Sequence, residues 1–324
     1  MKNCILMSLL AVFFLTSCSQ EKNGPVIGIS FETLQAEYWV ASLESIKAEC
    51  ERNGASYIES VADGDANRQF EQVSNFISRR VDGIIIAPKD AHTVIPIIKA
   101  ANKANIPIAI YNRVPVENSG EYITVVADNY EIAKSAVDHM GRIAREKGGE
   151  YKAMILIGDL GDINAINRRK GFEDALVEYS DIVELVAEVP TEWNQEKALA
   201  GVTNALQANP DINFIFSSSD FLFPSIVSAL KNLDKYHPVG HEDHVLLGGF
   251  DGDAMAYKML MEGYLDVDGV QDVHFECVEA VQSIFDMIEG KEANMRIRDP
   301  GFVIHQGNID EFAGRMWGAD FASE

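Results

Sequence analysis

DGIIIAP, residues 82–88, is a run of branched apolar residues that follows an aspartate and a glycine and ends at a proline. A short, continuously apolar segment of this kind is typical of a strand that is buried on both faces. The patterns on either side are helical, Asn67–Arg80 before it and Thr93–Ala104 after it. Strands that alternate with helices predict a parallel sheet covered by helices on both faces.

The same alternation of strand and helix extends in both directions and then starts again. The first series adds strands at Val26–Ser30, Ser56–Ser60 and Pro107–Ile110, and a helix at Ala36–Asn53. The second series runs through helix Asn129–Glu146, strand Tyr151–Ile157, helix Ala165–Tyr179, strand Val183–Val189, helix Gln195–Ala208, strand Phe214–Phe216, helix Pro224–Leu233, strand Val245–Gly248 and helix Ala254–Glu262. Two consecutive series of similar length predict an α/β protein with two doubly wound parallel-sheet lobes.

The N-terminus has the composition of a secretory signal. Lys2 precedes a mostly apolar stretch, Asn3–Phe14, which is shorter than the roughly 20 apolar residues that span a bilayer. Leu15-Thr16-Ser17-Cys18 resembles a bacterial lipobox, in which the signal is cut before the cysteine and the cysteine is lipidated. We therefore expect a signal peptide at residues 1–17, lipidation of Cys18 and a polar tether at residues 18–25. The domain would be held outside the cytoplasm by this lipid anchor alone.

The charge of the chain limits its partners. The 324 residues carry a formal net charge of −23, and an acidic surface of this kind repels phosphates. Nucleic acid is therefore not an expected partner, whereas a small neutral or cationic ligand is compatible with this charge. Beyond the predicted signal and lipid site, the cysteines are Cys50 and Cys277, each in a helical pattern. Buried thiols are their expected state, and a bridge between them stays an open alternative.

The segments that follow the predicted strands collect aromatic rings, amides, carboxylates and arginines. They are Glu32–Trp39, Tyr111–Arg113, Gly158–Arg168, Pro190–Asn194, Ser217–Asp220 and Gly249–Gly252. In open parallel sheets, ligands bind beyond the carboxyl ends of the strands. Aromatic rings cover the C–H faces of a sugar, carboxylates and amides accept from its hydroxyls, and arginine donates to its oxygens. This mixture suits a polyhydroxyl ligand.

From Val26 onward, essentially the whole mature chain resembles the periplasmic sugar-binding proteins of bacterial ABC importers, of the ribose and glucose/galactose type. The motifs that carry the resemblance are the Asp82–Ile86 strand, Asn105–Ile108, Tyr111–Arg113, Asn167–Phe172 and Gly249–Gly252. The resemblance implies the type I periplasmic-binding-protein fold, with two lobes and a three-segment hinge near Val126–Asp128, Val270–Asp272 and Arg296–Pro300. It implies an N-terminal lobe of residues 26–127 plus 271–297 and a C-terminal lobe of residues 128–270 plus 298–324.

The resemblance also implies which residues would hold the sugar. Tyr38 and Trp193 match the rings that stack on its two faces, and Arg168 matches an arginine that reaches it from a helix start. Asp251 matches a carboxylate that accepts from hydroxyls, and Gln271 an amide at the last crossover. The remaining polar positions are Glu32 and Gln35 in the first loop, Asn112 and Arg113 after the fourth strand, Asn164 in the second lobe, and Ser219, where asparagine is usual and the contact is shortened or lost. No catalytic residue, cofactor or metal is expected.

Several of these residues also have ordinary structural explanations. Tyr38 could face the core, Asp251 could cap a helix, Asn112 could hold a turn, and Arg168 could be surface charge. Trp39 is expected in the core or at the cleft rim, and Trp317 in packing. His237, His241 and His244 share a loop with Pro238 and Gly240, which we interpret as a surface loop rather than a metal site. The stretch at 145–150 lacks the oxygen ligands of the calcium loop in glucose/galactose binders, so no calcium site is predicted there.

The resemblance implies a hinged trap, in which a small neutral carbohydrate closes two lobes and an ABC permease reads the closed shape. The alternative is a co-receptor that reports the same sugar to a sensor kinase. An enzyme is not expected, because Gly28–Glu32 lacks the G-x-G-x-x-G of a dehydrogenase and the sequence has no nucleophile elbow or P-loop. A repressor of the lactose type would need DNA-binding helices where the signal stands. The protein is expected to be a monomer, and the sugar, whether pentose, hexose or related polyol, stays open.

Overall fold

The structure, a computed structural model, describes residues 24–116 and 120–322. The predicted signal peptide, the lipidation site at Cys18 and most of the tether therefore lie outside the described residues. The described residues form two six-stranded sheets, each with helices packed on it. The α/β fold with two doubly wound lobes that the sequence predicts is confirmed.

The first sheet has the strand order β11-β5-β4-β3-β1-β2, and every neighbouring pair in it is parallel. Its strands are β1 (Val26–Phe31), β2 (Ser56–Val61), β3 (Gly83–Ala87), β4 (Ile108–Tyr111), β5 (Ile123–Ala127) and β11 (Arg296–Asp299). The helices of this lobe are α1 (Glu37–Arg52), α2 (Ala66–Ser78), α3 (Val94–Lys103) and α9 (Val273–Ile288). Every residue of β3 is buried, which is why this strand reads as an unbroken apolar run in the sequence.

The second sheet has the order β12-β10-β9-β8-β6-β7, and its edge strand β12 runs antiparallel to β10. Its strands are β6 (Tyr151–Ile157), β7 (Val183–Pro190), β8 (Ile212–Ser217), β9 (Leu246–Asp251), β10 (Val267–Val270) and β12 (Phe302–His305). Its helices are α4 (Asn129–Lys147), α5 (Ile163–Leu176), α6 (Gln195–Ala208), α7 (Phe223–Asn232), α8 (Ala254–Met261), α10 (Ile309–Phe312) and α11 (Gly318–Phe321). The strand β12 differs from the predicted parallel pattern because it enters from the other lobe through a tight turn, without a crossover helix.

In the described part of the chain, three connections pass between the sheets: from β5 to α4, from β10 to α9, and from β11 to β12. Asp299, which is 1% exposed, bonds to all three. Its backbone oxygen accepts from Asp128 N at 2.8 Å, and its carboxylate accepts from Asp272 N at 2.7 Å and from Gly301 N at 2.8 Å. A single buried residue, through its backbone oxygen and its carboxylate, therefore bonds to all three connections.

Candidate functional site

A cavity of about 560 Å³ lies between the lobes, at the carboxyl ends of the strands of both sheets. The ten residues that the sequence analysis assigns to the site all line it: Glu32, Tyr38, Asn112, Arg113, Asn164, Arg168, Trp193, Ser219, Asp251 and Gln271. Gln35 lines it as well. The fold thus brings every predicted position to one place, whereas their roles in binding stay predictions.

Tyr38, on the first turn of α1, forms part of the cavity wall and also reaches into the core. Its hydroxyl donates to Glu276 Oε2 at 2.7 Å and accepts from Asn112 Nδ2 at 3.0 Å. The ring is 6% exposed and packs edge-on against Trp39, with ring centroids 5.0 Å apart. Burial raises the pKa of Tyr38 well above its usual value, so the hydroxyl keeps its proton. One side chain therefore lines the cavity and packs in the core, while stacking on a ligand stays a prediction.

The carboxyl of Glu276, on α9, is fully buried behind Tyr38. Burial first, and the neighbouring Asp299 second, raise its pKa from 4.5 to about 8. The folded protein therefore holds this proton over a range in which the unfolded chain has released it. The stabilisation from this group is fully present below pH 4.5 and is lost as the pH rises through about 8.

We expect Glu276→Gln to flatten the pH dependence of stability, because the amide has no proton to lose. Between pH 4.5 and about 8, the free energy of unfolding of the parent should decrease with pH by up to about 1.4 kcal/mol per pH unit more steeply than that of the variant. The variant should therefore lose less stability than the parent protein as the pH rises to 8. Urea titrations at several pH values measure this slope. Glu279→Gln, one turn later on α9 and half-buried, is the control, and an equal change in both variants would contradict the prediction.

Arg113 joins the two lobes at the cavity wall. Its Nη1 donates to Glu32 Oε1 at 2.6 Å in its own lobe, and its Nε donates to Asp162 Oδ2 at 3.3 Å in the other. The guanidinium lies 5.1 Å from the centroid of Trp39, within range of a cation–π contact. Because Glu32 and Asp162 are both mostly buried, these ion pairs are shielded from solvent.

Asn112 makes a second direct bond between the lobes. Its Oδ1 accepts from Asn164 Nδ2 at 2.8 Å. The backbone of Asn112 has a φ of +68°, a conformation that asparagine tolerates better than most residues, so the alternative of a turn-forming role also holds in part. Asp162 begins α5 by accepting from Asn164 N at 3.0 Å, which fixes the position of Asn164 at the cavity.

Arg168 is the central cation of the second lobe's wall and is only 4% exposed, so the alternative of ordinary surface charge is wrong. Its Nη1 donates to Asp251 Oδ1 at 2.9 Å and to Ser218 O at 2.7 Å, and its Nε donates to Asn129 Oδ1 at 2.7 Å. The guanidinium carbon lies 3.7 Å from the centroid of Phe250. These contacts hold the guanidinium in one orientation beside the cavity.

Asp251, the last residue of β9, accepts hydrogen bonds from three side chains. Besides Arg168, its carboxylate accepts from Ser219 Oγ and from Gln271 Nε2, the latter at 2.7 Å. Its φ of +134° is a strained conformation for a residue with a side chain, and such strain is found at functional sites. The capping alternative is wrong, because Asp253 caps α8 by accepting from Ala256 N at 2.8 Å. Ser219 lines the cavity and donates to the Asp251 carboxylate, while the expectation of a shortened or lost contact to the ligand stays a prediction.

Gln271 lines the cavity and is almost fully buried. Its Nε2 donates to Asp251 at 2.7 Å, while its Oε1 is buried and has no hydrogen-bond partner among the described residues. A buried acceptor without a donor is costly, by about 1–3 kcal/mol.

Three further carboxylates, Asp220, Asp253 and Asp268, lie buried behind Asp251. Asp220 accepts from Phe250 N at 2.8 Å and from Gly252 N at 2.7 Å, so it fixes the backbone on both sides of Asp251. Burial, followed by the charge of Asp251, raises the pKa of Asp220 to about 7. Burial likewise raises the pKa of Asp253 and of Asp268 well above the usual value. The sequence pattern held no signal for this group.

Trp193 covers the cavity from the loop after β7. Glu192 and Trp193 both have positive φ angles, of 52° and 55°, which turn the ring back over the sheet. The ring lies on Gly158, where a Cβ atom would be 2.1 Å from it. Its Nε1 donates to Asp162 Oδ2 at 3.3 Å. Glycine at position 158 therefore leaves the space that the indole occupies.

The structure adds residues that the sequence analysis did not assign to the site. Trp39 is 8% exposed and lines the cavity, so it belongs to the core and to the site together. Lys89, Asp159 and Asp162 also line it. Lys89 and Asp159 follow the strands β3 and β6, and this placement at the strand ends is the signal that could have assigned them to the site. Trp317, assigned to packing, is 1% exposed and also donates from Nε1 to the Asp251 carbonyl at 2.8 Å.

The remaining expectations concern cysteines, metals and membranes. Cys50 and Cys277 are buried and free, so the alternative of a disulfide bond between them is not realised. Among the described residues, His237, His241 and Asp243 form a group that could hold a metal ion. In residues 24–116 and 120–322, no helix has the length and apolar character needed to cross a bilayer.

Known proteins are similar to this chain in both sequence and fold. A putative rhizopine-binding protein of Rhizobium meliloti is 27% identical over 78% of this chain and 80% of its own length. The ribose import binding protein of Bacillus subtilis is 25% identical over 90% of this chain and 94% of its own length. The structure of an ABC transporter periplasmic solute binding protein from Actinobacillus succinogenes, with bound D-allose, superposes with a TM-score of 0.81 at 25% identity and covers 89% of this chain and 99% of its own.

The family model for the periplasmic binding protein domain matches residues 27–292, and the chain belongs to that family. This match confirms the resemblance to periplasmic sugar-binding proteins that the sequence motifs indicate. It covers both lobes and every residue that lines the cavity.

Proposed function

We propose that this chain captures a small neutral carbohydrate, a pentose, hexose or related polyol, between its two lobes and presents it to an ABC importer. The observation that carries the proposal is the convergence of the ten residues on one cavity between the lobes. The cavity combines the indole of Trp193, the guanidinium of Arg168 and the carboxylate of Asp251, which match the C–H faces and hydroxyls of a sugar. Ribose and D-allose in the names of similar proteins support this ligand class.

We propose that residues 26–127 plus 271–297 move as one lobe and residues 128–270 plus 298–324 as the other. The three connections between the sheets then form the hinge, with Asp299 at its centre. A ligand that contacts both lobes binds the closed form better than the open form, and this difference in affinity closes the hinge.

We also propose that the mature protein is lipidated at Cys18 and held outside the cytoplasm. The lipobox-like motif and a similar protein of Escherichia coli, a D-allose-binding periplasmic protein, support this location. The test is the fractionation of cells that express either the parent chain or Cys18→Ala. The parent protein should be recovered with membranes and released by detergent, and the variant should lose that association. Equal recovery of both with membranes would contradict anchoring through this cysteine.

A screen of pentoses, hexoses, polyols, amino acids and short peptides tests the ligand class. A sugar at 100 times its Kd should stabilise the mature chain by about 2.7 kcal/mol, seen as a higher melting temperature. Tryptophan fluorescence should change with the same sugar, because Trp193 and Trp39 both line the cavity, and Trp193→Phe separates the contribution of Trp193 from that of Trp39. A shift by amino acids or peptides alone would remove the carbohydrate assignment.

A further inference from the structure

We propose that the loop between α7 and β9 holds a second binding site, for a divalent transition metal ion such as Zn²⁺, formed by His237, His241 and Asp243. One ligand atom from each of the three side chains lies within 4.8 Å of the others. The loop enters β9 at the amino end of the strand, whereas the sugar cavity lies at the carboxyl ends. The site is therefore distinct from the cavity between the lobes, and the inference does not depend on the sugar.

The donor set fits zinc better than calcium or magnesium. Imidazole nitrogen and carboxylate oxygen bind Zn²⁺ at about 2.0–2.2 Å, while Ca²⁺ and Mg²⁺ take oxygen ligands. Three protein donors leave a fourth tetrahedral position for water, as in zinc sites that keep one position open. The rings of His237 and His241 stack with centroids 4.2 Å apart and an interplanar angle of 13°, so one ring must turn out of the stack before both rings point a nitrogen at one ion. His241 and Asp243 are exposed, which leaves their side chains room to turn.

A hydrogen bond within the loop leaves Nδ1 of His237 free to bind a metal ion. Its Nε2 lies 2.9 Å from the backbone oxygen of Asp234, so a proton on Nε2 donates there and Nδ1 is left to bind the metal. This is the usual arrangement of a metal-binding histidine, whose second ring nitrogen donates to a carbonyl or carboxylate. His241 Nδ1 lies 4.0 Å from Asp243 Oδ2 and accepts from Asp243 N at 3.1 Å, so this hydrogen bond must open when Nδ1, rather than Nε2, binds the ion.

The backbone of the loop is held in place by buried contacts. The side chain of His244 is 2% exposed, with Nδ1 at 2.7 Å from His237 O and Nε2 at 2.7 Å from Asp266 Oδ2. Val239 N donates to Gly263 O at 2.8 Å, and the rings of Tyr236 and Tyr264 stack with centroids 4.5 Å apart. These contacts fix the positions from which the three donors project, so little ordering is needed when an ion binds. The sequence showed only an exposed loop, because spacing alone does not reveal that the donors converge.

The test is a titration of the tag-free mature chain with zinc chloride by isothermal calorimetry, with Co²⁺ as a spectroscopic substitute. We expect one equivalent of Zn²⁺ to bind with a micromolar Kd, and Co²⁺ to give the visible absorption of a tetrahedral site. His237→Ala, His241→Ala and Asp243→Asn should each weaken Zn²⁺ binding by about tenfold or more. Melting curves of the variants show whether each one is folded.

Two controls keep the result specific to this group. Glu242→Gln removes the exposed carboxylate beside Asp243, and His274→Ala removes an exposed histidine on α9. Both should bind Zn²⁺ as the parent chain does. Absence of Zn²⁺ binding below millimolar concentration would overturn the proposal. So would equal losses in Glu242→Gln and Asp243→Asn, since that outcome would mean general attraction of cations to an acidic surface.

Discussion

Asp251→Asn is expected to abolish detectable sugar binding, with a loss of affinity of about 100-fold or more. The substitution leaves Arg168 buried without its counter-charge and replaces the oxygen that accepts from Ser219 Oγ by an amide NH2, while the other oxygen can still accept from Arg168 and Gln271. Breaking a buried, hydrogen-bonded charge pair costs about 3–5 kcal/mol, so the ligand-free protein should also melt at a lower temperature. Titration calorimetry with the sugar found in the screen measures the first effect, and calorimetric melting measures the second.

Asp253→Asn is the matched control for that experiment. Asp253 is buried two residues away and belongs to the same group of carboxylates, but it does not line the cavity, and asparagine can still cap α8. Its affinity for the sugar should stay within about twofold of the parent value, a difference of roughly 0.4 kcal/mol. If Asp251→Asn bound the sugar as tightly as Asp253→Asn does, the carboxylate of Asp251 would have no part in recognition.

Trp193→Ala is expected to weaken sugar binding by about 30- to 100-fold, because the ligand loses about 2–3 kcal/mol of apolar and aromatic contact on one face. The stability of the ligand-free protein should change little, since the indole is only half-buried and belongs to a loop. Titration calorimetry is the measurement here as well, because the variant lacks the fluorescent reporter. Trp193→Phe keeps a ring over the cavity and should recover most of the affinity.

Gly158→Ala tests the same contact without changing the tryptophan. The added methyl group would lie 2.1 Å from the ring, so the indole must leave its position over the end of β6. This variant should therefore lose affinity together with a shift in Trp193 fluorescence. Unchanged affinity in both Gly158→Ala and Trp193→Ala would show that the ring does not contact the sugar.

Helices and strands of ordinary length were predictable from the sequence because their side chains repeat with a clear period. Helix α6 has the predicted bounds, Gln195–Ala208, and β3 is the predicted apolar strand. Strands β5, β10, β11 and β12 were not predicted. They have four or five residues each, and two of them contain buried aspartates, Asp268 and Asp299, where an apolar residue would have signalled a strand.

The location of the cavity was predictable for a different reason. Parallel strands end at one edge of their sheet, so the polar residues after each strand are brought together whatever the details of packing. Not every residue behind the site could be found this way. Glu276 lies far along the chain from Tyr38, and only the packing of α9 brings it near. Asp220 and Asp162 lie in strand-end segments that the sequence indicates, but nothing in the sequence shows that Asp220 accepts from Phe250 N or that Asp162 bonds to Arg113 of the other lobe.

The bonds from Asn112 to Asn164 and from Arg113 to Asp162 consist of protein atoms alone, and they join one lobe to the other. If the lobes close as proposed, these bonds lower the free energy of the closed form with or without a bound sugar. Stronger bonds of this kind would raise the apparent affinity, because less of the intrinsic binding energy is consumed in rearranging the protein. They would also make the empty protein more similar to the sugar-bound protein, so a membrane partner would distinguish the two forms less well. The strength of these two side-chain contacts would thus set a balance between the apparent affinity for the sugar and the difference between the empty and the sugar-bound protein.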